Sequence, residues 1–130
     1  MPWAFNRKEI KDHGEGGMIV GAPLKGRVVI IDDVISAGTS VRESVKIIEA
    51  NNASPSGVLI AVDRMERGGT ADAPTATSAV QDVEKTFGLS VVSIINLHDL
   101  LAFMDGPSEK AKTVAQYRDA VAAYRARYGA

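Results

Sequence analysis

The stretch Arg27-Val28-Val29-Ile30-Ile31-Asp32-Asp33-Val34-Ile35-Ser36-Ala37-Gly38-Thr39-Ser40 decides how this chain is read. Val28 to Ile31 is an unbroken β-branched run, the pattern of a strand buried on both faces of a parallel sheet. Two carboxylates stand where that strand ends. Small and hydroxylated residues then lead into Val41, Val45 and Ile48, whose i, i+4, i+7 spacing predicts a helix running to Asn52. Strand, small-residue loop and helix N-terminus follow one another within twenty residues.

Such a loop lets backbone amides approach a ligand. Gly38 removes the Cβ, the hydroxyls of Ser36, Thr39 and Ser40 add donors, and the helix dipole favours an anion such as phosphate. Asp32 and Asp33 accept but do not donate, so they suit ribose hydroxyls or the water shell of Mg²⁺. A phosphorylated sugar fits both halves, in the crevice at strand C-termini where open α/β sheets bind ligands. Two competing readings exist. One makes Asp-Asp a polar turn and Thr39 or Ser40 a simple N-cap. The other makes the run a Walker-B strand, but no G-x-x-x-x-G-K-[ST] loop accompanies it.

Working outward, Trp3-Ala4-Phe5 reads as the tail of a strand and Met18 to Gly21 as a short extended segment. Between them Asn6 to Gly17 is polar and glycine-rich, with Arg7, Lys8, Lys11 and His13 among Glu9, Asp12 and Glu15. That composition describes either a solvated connector or a cationic lid able to close over a diphosphate. Beyond the first helix, Val58 to Val62 is a second apolar strand ending at Asp63-Arg64. Strand, helix and strand at this spacing make a parallel βαβ unit, with Asp63-Arg64 on the same sheet edge as Asp32-Asp33. Arg64 either forks onto a carboxylate or planar base, or pairs on the surface with Asp63 or Glu66. Gly68 to Thr75 reads as a small-residue loop without chemistry.

Thr77 or Ser78 caps a helix carrying Val80, Val83 and Phe87, closed by Gly88. Val91 to Ile95 is a third strand, and Leu97, Leu100, Leu101 and Met104 form a short helical stripe on which His98 is an exposed position. Ser108 opens a final helix. Its stripe of Val114, Tyr117, Val121, Tyr124 and Tyr128 is expected to pack on the sheet.

The chain has 130 residues, 45% hydrophobic and 24% charged, a net charge of −1 and no cysteine. These values describe one globular domain spanning residues 1–130, without disulfides or thiolate metal sites. They point to no nucleic-acid partner and no membrane, since no apolar run approaches the ~18 residues of a membrane span. A cytoplasmic protein is expected.

The run Val29 to Ser40 resembles the diphosphoribosyl-binding motif of type I phosphoribosyltransferases. Asn6 to Gly17 is similar to the mobile catalytic loop of the orotate phosphoribosyltransferase family, and Asp63-Arg64-Met65-Glu66-Arg67-Gly68 resembles that family's next loop. The resemblance implies a parallel-sheet α/β fold with flanking helices. It covers the C-terminal portion of the family's pattern, so the N-terminal strands and hood are expected to be lacking. It further implies a pentosyltransferase of pyrimidine biosynthesis that moves 5-phosphoribosyl from its 1-diphosphate to orotate. Asp32 and Asp33 would hold the ribose hydroxyls, and Val34, Ile35, Ser36, Ala37, Gly38, Thr39 and Ser40 would surround the 5-phosphate. Arg7, Lys8, Lys11 and His13 would cover the diphosphate as the catalytic set. Ser36, where the family usually has threonine, and Arg64 would meet orotate. Mg²⁺ would ride mainly on the diphosphate with no protein-held metal, and a homodimer would share the loop between subunits. The alternative is a phosphoribosyltransferase-fold module that binds such ligands without turnover, and another base specificity is a third reading against which the Asn6 to Gly17 loop argues.

Overall fold

The computed structural model describes residues 1–7, 19–70 and 73–130. The chain begins with an antiparallel pair, β1 (Ala4–Asn6) and β2 (Ile19–Gly21), in which Phe5 faces Val20 and Ala4 faces Gly21. Gly21 has φ +115°, and a Cβ there would sit 2.4 Å from the Trp3 carbonyl oxygen, so only glycine closes this pair.

The centre is a three-stranded parallel sheet in the order β3 (Arg27–Asp32), β4 (Ser54–Asp63), β7 (Val91–Asn96). Helix α1 (Thr39–Ala50) connects β3 to β4. β4 starts earlier than its apolar run suggests, at Ser54, and takes Pro55 in its first turn of pairing. Proline has no amide to donate. The register accordingly slips between Val28 and Val29, and the Ser56 hydroxyl donates to the Val28 carbonyl at 3.2 Å.

After β4, the segment expected to be a structureless loop is a hairpin: β5 (Arg67–Thr70) pairs antiparallel with β6 (Ala73–Ser78). Gly69, at φ +82°, makes this possible, because a Cβ there would stand 2.3 Å from the Ala73 carbonyl. Helix α2 (Ala79–Phe87) follows directly. Ser78 caps it by accepting from the Gln81 amide while Gln81 reciprocates to the Ser78 amide. Asn96 caps α3 (Leu97–Met104) in the same reciprocal way with Asp99, and His98 is exposed on it. The final helical segment is three pieces: α4 (Glu109–Val114), a 3₁₀ turn (Ala115–Tyr117) and α5 (Arg118–Tyr128).

Val41, Val45 and Ile48 of α1 and Ala79 and Val83 of α2 pack with Ile30, Val58, Ile60 and Leu89 into one core. Strand alternation puts Ile30, Val58 and Val91, which are paired in register, on that face. The opposite face carries Ile31, Leu59 and Val92, and there Ile31 is 74% and Ile94 73% exposed. The expectation that β3 is buried on both faces is therefore corrected to one. An uninterrupted β-branched run records that both faces are apolar and says nothing of what covers the second.

The tyrosine stripe is corrected as well. α5 lies beside α3 and the segment following β4, and makes no close packing on the central sheet. Its last residues join the chain there, with Glu66 bridged to Gly129 and the Ala130 amide donating to the Met65 carbonyl at 3.0 Å. Among the described helices none is long and apolar enough to cross a membrane.

Candidate functional site

The loop leaving β3 is built from short-range bonds. The Asp33 amide donates to Asp32 Oδ1 at 2.9 Å and the Val34 amide to Asp33 Oδ1 at 2.7 Å, each carboxylate accepting from the residue that follows it. The Asp33 carbonyl accepts from the amides of both Ala61 and Val62 at 3.0 Å, which ties the loop to the next strand. Ile35 is buried in the core beneath it, so the chain is pinned between the two exposed ends of the loop.

Gly38 is the N-cap of α1, at φ 70° and ψ 13°, and no side chain caps the helix. A Cβ on Gly38 would lie 2.9 Å from Val83 Cγ2. The reading of Thr39 or Ser40 as an N-cap is thereby corrected: both belong to the first helical turn. The Ser40 hydroxyl instead donates to Asp32 Oδ2 at 2.7 Å, across the loop. This orients the Asp32 carboxylate and leaves the helix N-terminus without a side-chain acceptor of its own. First-turn amides in that condition, carrying the positive end of the helix dipole, suit a phosphate.

The second half of the site comes from the end of β4. Arg64 Nη2 donates to Ser36 Oγ at 2.7 Å, so the two residues expected to meet the base touch each other. Arg64 Nε lies 3.1 Å from Glu66 Oε1, close enough for an ion pair but without the alignment of a hydrogen bond. Arg64 thus forms the surface pair with Glu66 and at the same time reaches the loop at Ser36. Between them Met65 takes φ 53°, a left-handed conformation unusual for a side-chain-bearing residue, and its amide donates to Asp63 Oδ1 at 2.8 Å. This turn folds Glu66 back beside Arg64.

Glu66 in turn accepts from the Tyr124 hydroxyl. That carboxylate holds the phenol proton, and burial and the negative charge act in the same direction, so the Tyr124 pKa is pushed above its ordinary value. Tyr124 packs on Tyr128 with ring centroids 4.8 Å apart and the rings tilted by 48°. Arg67 Nε donates to the Gly129 carbonyl at 2.9 Å, completing the attachment of the chain end to this segment. Neither Glu66 nor Tyr124 was among the expected site residues. The only sequence signal was Glu66's charge two residues from Arg64, because an aromatic in a helical stripe reads as core.

Asp82 of α2 reaches the hairpin. It accepts from the hydroxyls of Thr77 and Thr75, which hold its carboxyl below the ordinary carboxylate pKa, with a smaller contribution from Lys85. A small cleft of ≈ 40 Å³ lies between Ser36–Gly38, Gly68 and Asp82. It is too small for a sugar phosphate. The candidate site is instead the open edge above the ends of β3 and β4. Of the expected cationic set, Arg7 is exposed just past β1, whereas Lys8, Lys11 and His13 lie outside the described residues.

No family model matches the chain. The orotate phosphoribosyltransferase of Herminiimonas arsenicoxydans is 64% identical over 129 residues, covering 99% of this chain and 58% of the relative. That of Bordetella petrii is 63% identical over 129 residues, covering 99% and 56%. The chain thus spans somewhat over half the length of the curated relatives it matches. Among solved structures, the Francisella tularensis orotate phosphoribosyltransferase superposes with a TM-score of 0.72 at 30% identity, over 100% of this chain and 57% of that one. Leishmania donovani UMP synthase gives 0.68 at 25% identity, over 98% and 24%. With close to two residues in three shared with such relatives over 99% of its length, and a solved structure superposing over all of it, the chain matches the C-terminal portion of the orotate phosphoribosyltransferases, which are type I phosphoribosyltransferases.

Proposed function

We propose that this chain carries the phosphoribosyl- and base-binding half of an orotate phosphoribosyltransferase, acting in pyrimidine biosynthesis in the cytoplasm. The observation that carries the reading is the junction of Ser36 with Arg64 at 2.7 Å, which places a guanidinium beside a loop suited to a sugar phosphate. The proposed reaction joins orotate to 5-phosphoribosyl 1-diphosphate. The bond from the anomeric carbon to the diphosphate oxygen breaks, its electron pair leaves with diphosphate, and a ring nitrogen of orotate, losing its proton, bonds to that carbon.

Asp32 and Asp33 hold the ribose hydroxyls, with Asp32 pre-aimed by Ser40. The amides and hydroxyls from Val34 to Ser40 hold the 5-phosphate. Arg64, a rigid fork of donors, takes the carboxylate and carbonyl edge of orotate. Arg7, Lys8, Lys11 and His13 stabilise the departing diphosphate, in a site shared across a homodimer. Asp33 Oδ2 has no partner among the described residues, an acceptor of the kind that suits the water shell of a substrate-borne Mg²⁺. When bound, Mg²⁺ supplies neutralising charge to the leaving group. Catalysis of this kind rests on placement and charge rather than on a protein nucleophile.

A second reading, a module that binds without turnover, is favoured by the uncovered apolar face bearing Ile31 and Ile94. One assay separates the two: orotate absorbance is followed with the purified chain, 5-phosphoribosyl 1-diphosphate and Mg²⁺, with adenine and hypoxanthine as competing bases. Loss of orotate supports the transferase, and Lys11→Ala is then expected to lower turnover by orders of magnitude with folding intact. Binding of the diphosphate sugar without consumption of any base supports the module.

A further inference from the structure

We infer that Glu66 and Tyr124 are positioning residues for the base-binding guanidinium: α5 reaches over the end of β4 and, through its tyrosine, holds Glu66 where it steers Arg64 onto Ser36. The identity of the base rests on the function proposed above; the clamp itself does not. The links are consecutive. The Tyr124 hydroxyl donates to Glu66 Oε1, that same oxygen lies 3.1 Å from Arg64 Nε, and Arg64 Nη2 donates to Ser36 Oγ at 2.7 Å. Arg64 and Glu66 share the connection after β4, but Ser36 belongs to the β3–α1 loop and Tyr124 to α5, so no local propensity produces the whole arrangement.

The chain end strengthens it from the backbone side. The Ala130 amide donates to the Met65 carbonyl, Arg67 Nε donates to the Gly129 carbonyl, and Met65 is held at φ 53° between the two side chains that must meet. A left-handed non-glycine residue is retained where the surroundings over-determine it. Arg64 Nη1 has no partner among the described residues, so the held fork presents its remaining edge to a ligand. An arginine side chain has many rotamers, and one immobilised before binding spares the ligand that ordering cost. Glu66 also offsets part of the positive charge, so the site favours a ligand that matches the fork's direction over any anion that merely seeks a cation.

The test uses Tyr124→Phe, which removes one hydroxyl and keeps the ring packed against Tyr128. Two readouts are taken: the ¹⁵Nε order parameter of Arg64 in the free chain, and dissociation constants for orotate and for 5-phosphoribosyl 1-diphosphate by calorimetry. The expected result is a drop of the order parameter below about 0.6, a roughly 3- to 10-fold weaker orotate affinity, the scale of one lost hydrogen bond, and unchanged affinity for the diphosphate sugar. An Arg64 order parameter unchanged in Tyr124→Phe overturns the clamp, as does an equal loss of affinity for both ligands, which marks a merely structural role. Should Tyr124→Phe unfold, Glu66→Gln with the same order-parameter readout decides in its place. If the unmodified chain binds no orotate, the proposed function fails, while the Arg64 order parameter still passes or fails the clamp.

Discussion

The two halves of the site are made in opposite ways. The half between Asp32 and Ser40 is contiguous: three bonds among Asp32, Asp33, Val34 and Ser40 tie it together, with Gly38 as the one conformational requirement and Ile35 as the anchor. The half around Arg64 is assembled from the β3–α1 loop, the end of β4 and α5, and its elements meet only once the chain has folded. The first half thus depends on backbone geometry and the second on the docking of a distant helix. On the proposed function, a phosphate, which every such sugar carries, falls to the local half, and the base, which differs between reactions, to the assembled one.

The comparison breaks most readily at Gly38. Alanine there meets both a positive φ and Val83 Cγ2 at 2.9 Å. We expect Gly38→Ala to cost about 1–3 kcal/mol in urea denaturation and to weaken the diphosphate sugar by about tenfold or more, while leaving the Arg64 order parameter intact. If Arg64 loosens too, the halves are not independent.

Ser36 is the one residue common to both halves. Ser36→Ala removes the acceptor of Arg64 Nη2 and one loop hydroxyl, so calorimetry should show both ligands weakened, each by roughly 3- to 10-fold. An effect on one ligand alone would place Ser36 wholly in that half. Ser40→Ala frees Asp32 Oδ2 from its hydroxyl donor. Its effect is expected to be smaller, about 2- to 5-fold on the diphosphate sugar, with no change in orotate affinity.

pH sharpens the contrast further. Tyr124 has a raised pKa in the folded chain, so its bond to Glu66 contributes fully below the unfolded tyrosine value of about 10 and is lost as pH rises through the folded value. Alkaline titration should therefore loosen Arg64 before it disturbs the Asp32–Ser40 loop, and Tyr124→Phe should remove that early step in the ¹⁵N spectra. The acid side probes the hairpin next to Arg64. Asp82 has a lowered pKa, so its threonine bonds contribute above the unfolded carboxylate value and fade as pH falls through the folded one. A small acid-dependent loss of melting temperature, absent in Thr77→Ala, is expected; equal acid limbs would take Asp82 out of the account.

Much of this was legible from the residues. The βαβ unit announces itself because β-branched runs and an i, i+4, i+7 stripe are short-range patterns, and the Asp32 to Ser40 loop combines residue types whose chemistry is local. The Ser36–Arg64 meeting was reachable too, since parallel strands joined by one helix bring their C-terminal ends to the same edge. Three features were not legible. Glycine at 68 and 69 reads as a loop but serves a tight hairpin, where Gly69 lets the backbone pass the Ala73 carbonyl. The second sheet face is apolar in sequence yet exposed around Ile31 and Ile94. The tyrosines of α5 repeat like a core stripe but face Glu66, because periodicity says which residues share a face and not what that face meets.

By itself, the sequence determined the strand–loop–helix that carries the half proposed for the phosphate, because its spacing and chemistry act within a few residues along the chain. Tertiary structure alone decided how Arg64 is aimed. That direction depends on Tyr124, 60 positions away in the numbering, arriving beside Glu66, and a contact between segments so far apart exists only after the core of α1, α2 and the central sheet has set where each of them lies.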